Sequence, residues 1–477
     1  MTRLEKRGVP SVFMVAETFE HDAQNGAMDN GMPTQRHVIM EGYYWHIPPE
    51  ESKPIAELHF DKTLAALTTP LTSSEKSPPQ VPRTSYPSVR ISGENHAAAL
   101  EKLQQLFIEN RWSDGLAIIP PTREAVDLML TGTSRSPDEV IGTVKVRKGI
   151  ATIEKIAINA VMAGASPKYL PVIIAAMEGL ADPEFDLLHP QASLGGFELA
   201  IWVSGPMANE LNMNYGDRLW TYGNRANSSI GRAIMLCRIN LGHMWPGVND
   251  MARTRAVPFT NYTFAENNTT PNPWPPYHTI HGFNAEESCV SVSTVSPRLM
   301  FTYNDSSPRE LLQSVIDGIM SKRRGVFSLY RSDIANPNAH PFKYVFMITP
   351  ELAADLTTMG YTQESLRDYI YSAASIPYEQ LSPEEIKKIQ IRIDQSIAGR
   401  GVYADRLPGD RIPVWQQGLK PGGKIPLVVT PEDLHFVVVG ADKGKSITGW
   451  SYYRAPYTWS SHRTTKIHGA TLTQAGR

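Results

Sequence analysis

The densest concentration of side chains able to do chemistry runs from Asn212 to Phe283. It reads NMNYGDRLWTYGNRANSSIGRAIMLCRINLGHMWPG, then FTNYTFAENN, then PNPWPPYHTIHGF. Arg218 and Arg225 lie among Asn and Gly residues, on a backbone able to turn tightly. Asn227 is a good N-cap for a helix SSIGRAIMLCRIN, which puts Arg225 beside the positive end of that helix. A helix N-terminus with an arginine is a ready site for carboxylate or phosphate. Arg225, Asn227, Arg232 and Asn240 are therefore the expected substrate-binding groups. The plainer alternative is that the glycines shape turns and the arginines decorate the surface.

His243, His278 and His281, with Glu266, form the set that resembles an acid/base or metal cluster. Imidazole transfers protons near neutral pH, so His278, Glu266 and His243 are the expected catalytic groups. The same residue types suit a divalent transition metal, with His243, His278, His281 and Glu266 as its ligands. The spacing is neither H-x-H nor H-E-x-x-H, and a lone histidine is more often a hydrogen-bonded structural residue. GADKGKS, from Gly440 to Ser446, is one residue short of a phosphate loop and no apolar helix follows, so no nucleotide is expected there. The two cysteines, Cys237 and Cys289, have no metal or redox spacing and read as a buried helix thiol and a strand residue.

These groups must be held by a chain of 477 residues, long enough for two or three domains. Hydrophobic residues make up 41% and charged residues 20%, with a formal net charge of −2. There is no global basic field for nucleic acid. No apolar run reaches the roughly 18 residues that span a bilayer, and MTRLEKRGVPS has no signal-peptide core. Cytoplasmic is the plain reading, without nucleic acid or membrane as partner.

Strand and helix patterns alternate, which predicts an α/β fold with a mixed sheet. PSVFMV and RHVIME read as strands, and ETFEHDAQNGAM and PEESKPIAELHFDKTLAALT as helices, giving an α/β fragment over 1–69. Two strands and two helices bury too little apolar surface to stand alone, so this half-domain looks incomplete. Residues 70–92 are rich in Pro and Ser and read as a linker. From 93 to 330 the pattern predicts a large catalytic or substrate-binding α/β domain, including a strand at GLAIIPP. Residues 331–477 are a second α/β part, either separate or continuous with the first.

Particular segments carry a resemblance. LEKRGVPSVFMVAETF, followed by GMP at 31–33 and the acid-rich helix, resembles the half of the UGSC domain that lies after its redox motif. That family is named for a selenocysteine-Gly-Ser-Cys or Cys-Gly-Ser-Cys motif. A weaker likeness extends to the selenocysteine subunits of glycine reductase. DGLAIIPPTREAVDLML, ATIEKIAINAVMAGASPKYLPVIIAA, RANSSIGRA, FAENN through PWPPYH, and ITPELAADLTTMGYTQESLRDYI are similar to the companion region of UGSC-type proteins. The chain itself contains no C-G-S-C. The resemblance implies thiol or selenol chemistry, of oxidoreductase or lyase type, on a small molecule. It further implies that the motif is lost or stands on a small partner subunit that completes the half-domain, in a hetero-oligomer. Two other readings remain: a metal-dependent hydrolase or lyase built on the His/Glu set, and a non-catalytic scaffold subunit.

Overall fold

Short strands buried along their whole length build the central feature of the fold. In the computed structural model the described residues are 2–5, 7–29, 32–41, 49–77, 88–192, 197–220, 222–252, 260–269, 272–304, 307–321, 342–399, 407–440, 444–453 and 461–470. The strands are β1 (Phe13–Ala16), β2 (His37–Met40), β3 (Val140–Val144), β4 (Gly149–Thr152), β5 (Glu198–Ser204), β6 (Tyr262–Ala265) and β7 (Cys289–Asn304). They continue with β8 (Phe342–Ile348), β9 (Ser375–Pro377), β10 (Lys424–Pro426), β11 (Leu434–Val438), β12 (Ser446–Tyr453) and β13 (His462–Lys466). The fold is α/β with a mixed sheet.

Seven strands form one sheet in the order β11-β8-β12-β7-β5-β6, with β13 beside the first half of β7. The β5–β6 and β8–β11 pairs are parallel and the remaining pairs antiparallel. Strands from both sides of residue 331 thus share one sheet, so the two α/β parts are continuous. The sheet is rolled. Asn267, just past β6, donates its backbone N–H to Val438 O at the end of β11 over 2.7 Å. Its side-chain amide donates to Gly440 O, also at 2.7 Å, so the two edges are joined.

Because side chains alternate across a strand, a rolled sheet has one row inside and one outside. Leu199, Ile201 and Val203 of β5, with Val290 and Val292 of β7, point outward into a core shared with the helices Ile153–Met162, Leu170–Ala181 and Arg225–Asn240. Tyr344, Phe346, Leu434 and Phe436 point outward on the other side, against Leu311, Leu352, Leu366 and Ile370 of the later helices. Ala200, Trp202, Phe264, Val295, Val345, Met347 and Val437 form the inner row. The helix Arg225–Asn240 is locked onto this scaffold by a buried ion pair, Arg238 Nη1 to Glu198 Oε1 at 2.5 Å, with Asn261 Oδ1 as a further acceptor at 3.2 Å. Gly231 lets that helix approach so closely that a Cβ there would lie 1.7 Å from Thr260 O.

Three local expectations are corrected. GLAIIPP forms no strand. The Gln104 side chain takes a strand partner's place, donating to Ile118 O and accepting from Ile118 N–H. The helix expected after Asn227 starts earlier, at Arg225, because the Asn224 carboxamide caps it by accepting from Asn227 N–H. The supposed linker at 70–92 is partly docked: Arg36 binds Glu75 at 2.6 Å and the carbonyls of Ala66, Thr69 and Pro70, which ties residues 70–75 to β2. The rest of that stretch includes residues outside those described.

At the N-terminus, β1 and β2 make a two-stranded parallel sheet with partly exposed side chains. Among the described residues no helix is long and apolar enough to cross a membrane.

Candidate acid–base site

The inner row of the rolled sheet includes polar groups as well as apolar ones. On β11, alternation puts His435 on the inward face with Val437. On β13, His462 lies opposite Ser293 of β7, and Lys343 at the start of β8 shares the inward face of Val345. The turn Tyr277–His281 plugs this interior and brings its own two side chains. Its shape comes from PNPWPP, whose prolines forbid strand pairing, and from Gly282 in the left-handed region at φ +86°.

Four rings meet there. The Tyr277 hydroxyl is 2.7 Å from His435 Nδ1 and 3.2 Å from His462 Nε2. A hydroxyl has one proton, so it donates to one imidazole and accepts from the other, and either direction gives a continuous relay. The rings of His435 and His462 lie 5.2 Å apart, and His281 is 5.1 Å from His462. Trp202 closes the floor, 5.2 Å from Tyr277 and 5.4 Å from His462. Tyr277 is 0% exposed and His435 and His462 are 7% exposed, whereas His281 is exposed and leads to solvent.

Loss of solvation dominates the electrostatics. It pushes His435 and His462 well below the usual imidazole range, with further depression of His435 by His462 and of both by Lys343 and His281. His281 is pushed down to about 4 by the protein around it, then by Arg367 and Lys343. Its exposure limits the size of that effect, and the direction follows equally from the two cations. Tyr277 is pushed well above its normal value by burial. All three imidazoles are therefore neutral at pH 7; Lys343 acts on all three, Arg367 on His281 and His435, and Arg463 on His462. Lys343 is paired with Asp433 at 3.1 Å. Arg367, on the helix Gln363–Ala373, is not: its Nε and Nη2 are buried without a hydrogen-bond partner. Those two atoms form the edge of a guanidinium that fits a carboxylate bidentately.

Glu266 belongs to this site in a supporting role. Both carboxylate oxygens accept the Tyr277 backbone N–H at 2.9 Å, which fixes the turn that carries the hydroxyl. Burial pushes its pKa up to about 7, against the opposing pull of that N–H and of the nearby Ser204 hydroxyl.

The other expected residues lie elsewhere. His278 is buried with Nε2 donating to Asn284 O at 2.8 Å, which pins the following loop. His243 stacks on Trp245 past the end of the helix Arg225–Asn240. His243 thus lies apart from the turn that Glu266 shares with His278 and His281, and among the described residues no group of three or more His, Cys, Asp or Glu is placed to hold a metal ion. Arg225 is exposed and donates to Gly164 O. Asn227 clamps the backbone of Asn214 with both ends of its amide. Arg232 is committed to Asp114 and Ala117 O. Asn240 donates to Trp112 O and Asn159 Oδ1. No anion cradle forms from these four. Both cysteines are buried, and loss of solvation raises Cys237 and pushes Cys289 up to about 12. Residues 446–453 after GADKGKS are the strand β12, which leaves no helix to receive a phosphate.

Tyr277, His435, His462 and Arg367 were not singled out in the sequence. A usable signal existed for one: DLHFVVV places a histidine at an alternating position within a buried strand, where a polar group needs a partner.

A pH dependence follows. A histidine whose pKa is lower folded than unfolded binds fewer protons when folded, so its contribution is present above pH 6.5 and is lost as pH falls. His435 and His462 should each approach a slope of about 1.4 kcal/mol per pH unit below pH 6. Glu266, raised on folding, acts oppositely between its unfolded value and about 7. Urea unfolding should show a net loss of stability from pH 7.5 to 5, with the slope reduced by about one proton in His462→Gln. Stability that is flat or rises on acidification contradicts the assignment.

No protein-family model, no curated protein and no solved structure matches this chain, so its site stands on its own geometry.

Proposed function

We propose that the chain is an enzyme that moves protons on a small carboxylate or similar oxyanion inside the rolled sheet. The observation that carries this reading is the Tyr277 hydroxyl bridging His435 and His462 within electrostatic reach of Arg367, whose Nε–Nη2 edge has no hydrogen-bond partner. A buried guanidinium edge without a partner is costly unless a ligand completes it. An oxyanion on Arg367 also offsets the positive potential that adds to burial in depressing His281 and His435, and so raises their basicity. Substrate binding would then bring the relay toward the range in which acid–base catalysis is efficient. His281 connects the relay to solvent, and Glu266 holds the turn in place.

The test is solvent-deuterium exchange into a panel of small carboxylic acids bearing an acidic C–H, followed by proton NMR. At least one acid should exchange with the wild-type chain. Tyr277→Phe and His435→Gln should slow that exchange by about 100-fold or more, and Arg367→Gln should raise the half-saturating concentration. An exchanging acid whose rate is unchanged in Tyr277→Phe and His435→Gln rejects the relay.

A second reading places this activity in a larger subunit of a heteromeric enzyme whose partner supplies a catalytic Cys or Sec. It is supported by the two-stranded sheet β1–β2 and by exposed apolar side chains around it: Met14 at 42%, Leu58 at 71% and Phe60 at 60%. The chain's own thiols, buried and held protonated, offer no nucleophile. Co-expression with neighbouring genes and purification through this chain alone should recover a small stoichiometric subunit with a C-G-S-C or selenocysteine motif. A monodisperse chain without a partner contradicts it.

A further inference from the structure

A hollow of about 310 Å³ opens where the helices His96–Glu109 and Ile153–Met162 meet the turn after the helix Arg225–Asn240. Aromatic rings dominate its wall. Phe107 and Trp112 pack edge to face at 5.4 Å, and His243 stacks on Trp245 at 4.8 Å with the planes only 11° apart. The Arg111 guanidinium lies 5.4 Å from the Trp245 ring centroid. Ile158 and Met162 supply apolar surface. This is the composition of a small-molecule pocket: apolar and aromatic, with a few polar groups.

The wall is also strained. Arg111 and His243 both adopt left-handed backbone conformations, at φ +58° and +53°. Side-chain-bearing residues rarely hold that conformation unless their surroundings impose it, and such residues cluster at ligand sites.

Charge selects the ligand class. Among the described residues that line the hollow Lys155 is the only charged one, and its ammonium donates to Ile150 O at 3.0 Å while remaining exposed. An ammonium has three protons, so donors remain for a ligand. Three helices end at this wall, and their negative ends oppose an anion. The carbonyls of Phe107, Leu241 and Gly242 are nevertheless occupied by backbone N–H groups of Trp112, Gly149, Val146 and Arg147. Burial and the Arg147 charge hold His243 below the usual imidazole range, so it adds no cation of its own and can serve as a neutral partner.

We propose that this hollow binds a small planar aromatic acid, its ring on the Trp112 and Trp245 walls and its acidic group on Lys155. This site is separate from the Tyr277 relay and does not rest on the activity inferred there.

The test is isothermal titration of the full chain with 2-naphthoate and with its neutral counterpart, 2-naphthamide. The carboxylate should bind one to one and more tightly than the amide. Lys155→Ala should weaken the carboxylate by about tenfold and leave the amide unchanged. Ile158→Trp, which fills the hollow, should abolish both while preserving the far-UV spectrum. Failure of 2-naphthoate to saturate at millimolar concentration overturns the proposal, as does equal affinity for the amide. Unchanged carboxylate binding in Lys155→Ala overturns it even where Ile158→Trp does not fold.

Discussion

The Tyr277 hydroxyl, placed between two imidazoles inside a rolled sheet, is the interaction on which the candidate chemistry depends. It cannot exist without three separate structural facts. The sheet must curl until Asn267 joins the ends of β6 and β11. The strands β11 and β13 must hold a register that turns His435 and His462 inward, since a slip of one residue would send both outward. The turn Tyr277–His281 must then be held in the interior, and Glu266 does this through the Tyr277 backbone N–H. The site thus draws on segments nearly two hundred residues apart.

Its electrostatic logic is one of withheld neutralisation. Burial keeps the imidazoles uncharged, and the cations beside them reinforce that state. Lys343 has Asp433, but Arg367 has no described partner for its Nε and Nη2. Arg238, by contrast, has Glu198 and Asn261 as acceptors for its Nη1. An anionic ligand is the simplest chemical completion of the gap at Arg367.

Much of the scaffold was legible in the sequence and most of the site was not. The strands at LAIWVS, FKYVFMI and LHFVV and the helices at 153–162 and 225–240 announce themselves by period and by caps. GLAIIPP shows the limit of that method, because a glutamine side chain can replace a neighbouring strand without changing the hydrophobic pattern. The residues from Asn212 to Phe283 did contain Tyr277, His281 and Glu266, but density of polar residues gave no weight to distant partners. His435 and His462 come from strands that follow in the chain by more than 150 residues, and Arg367 sits on a helix with an ordinary amphipathic pattern. Only the roll of the sheet brings them together. Conversely, Arg232 and Asn227 looked available because sequence does not reveal that Asp114 and Asn214 already occupy them.

The central claim is that His435 and His462 are neutral and joined through Tyr277. Long-range proton–nitrogen NMR of the histidine side chains at pH 7 tests it most directly. The account predicts two single-tautomer neutral imidazoles, assigned by loss of their signals in His435→Gln and His462→Gln, both shifting when Tyr277 is changed to Phe. Imidazolium patterns at pH 7, or neutral signals indifferent to Tyr277→Phe, would contradict it.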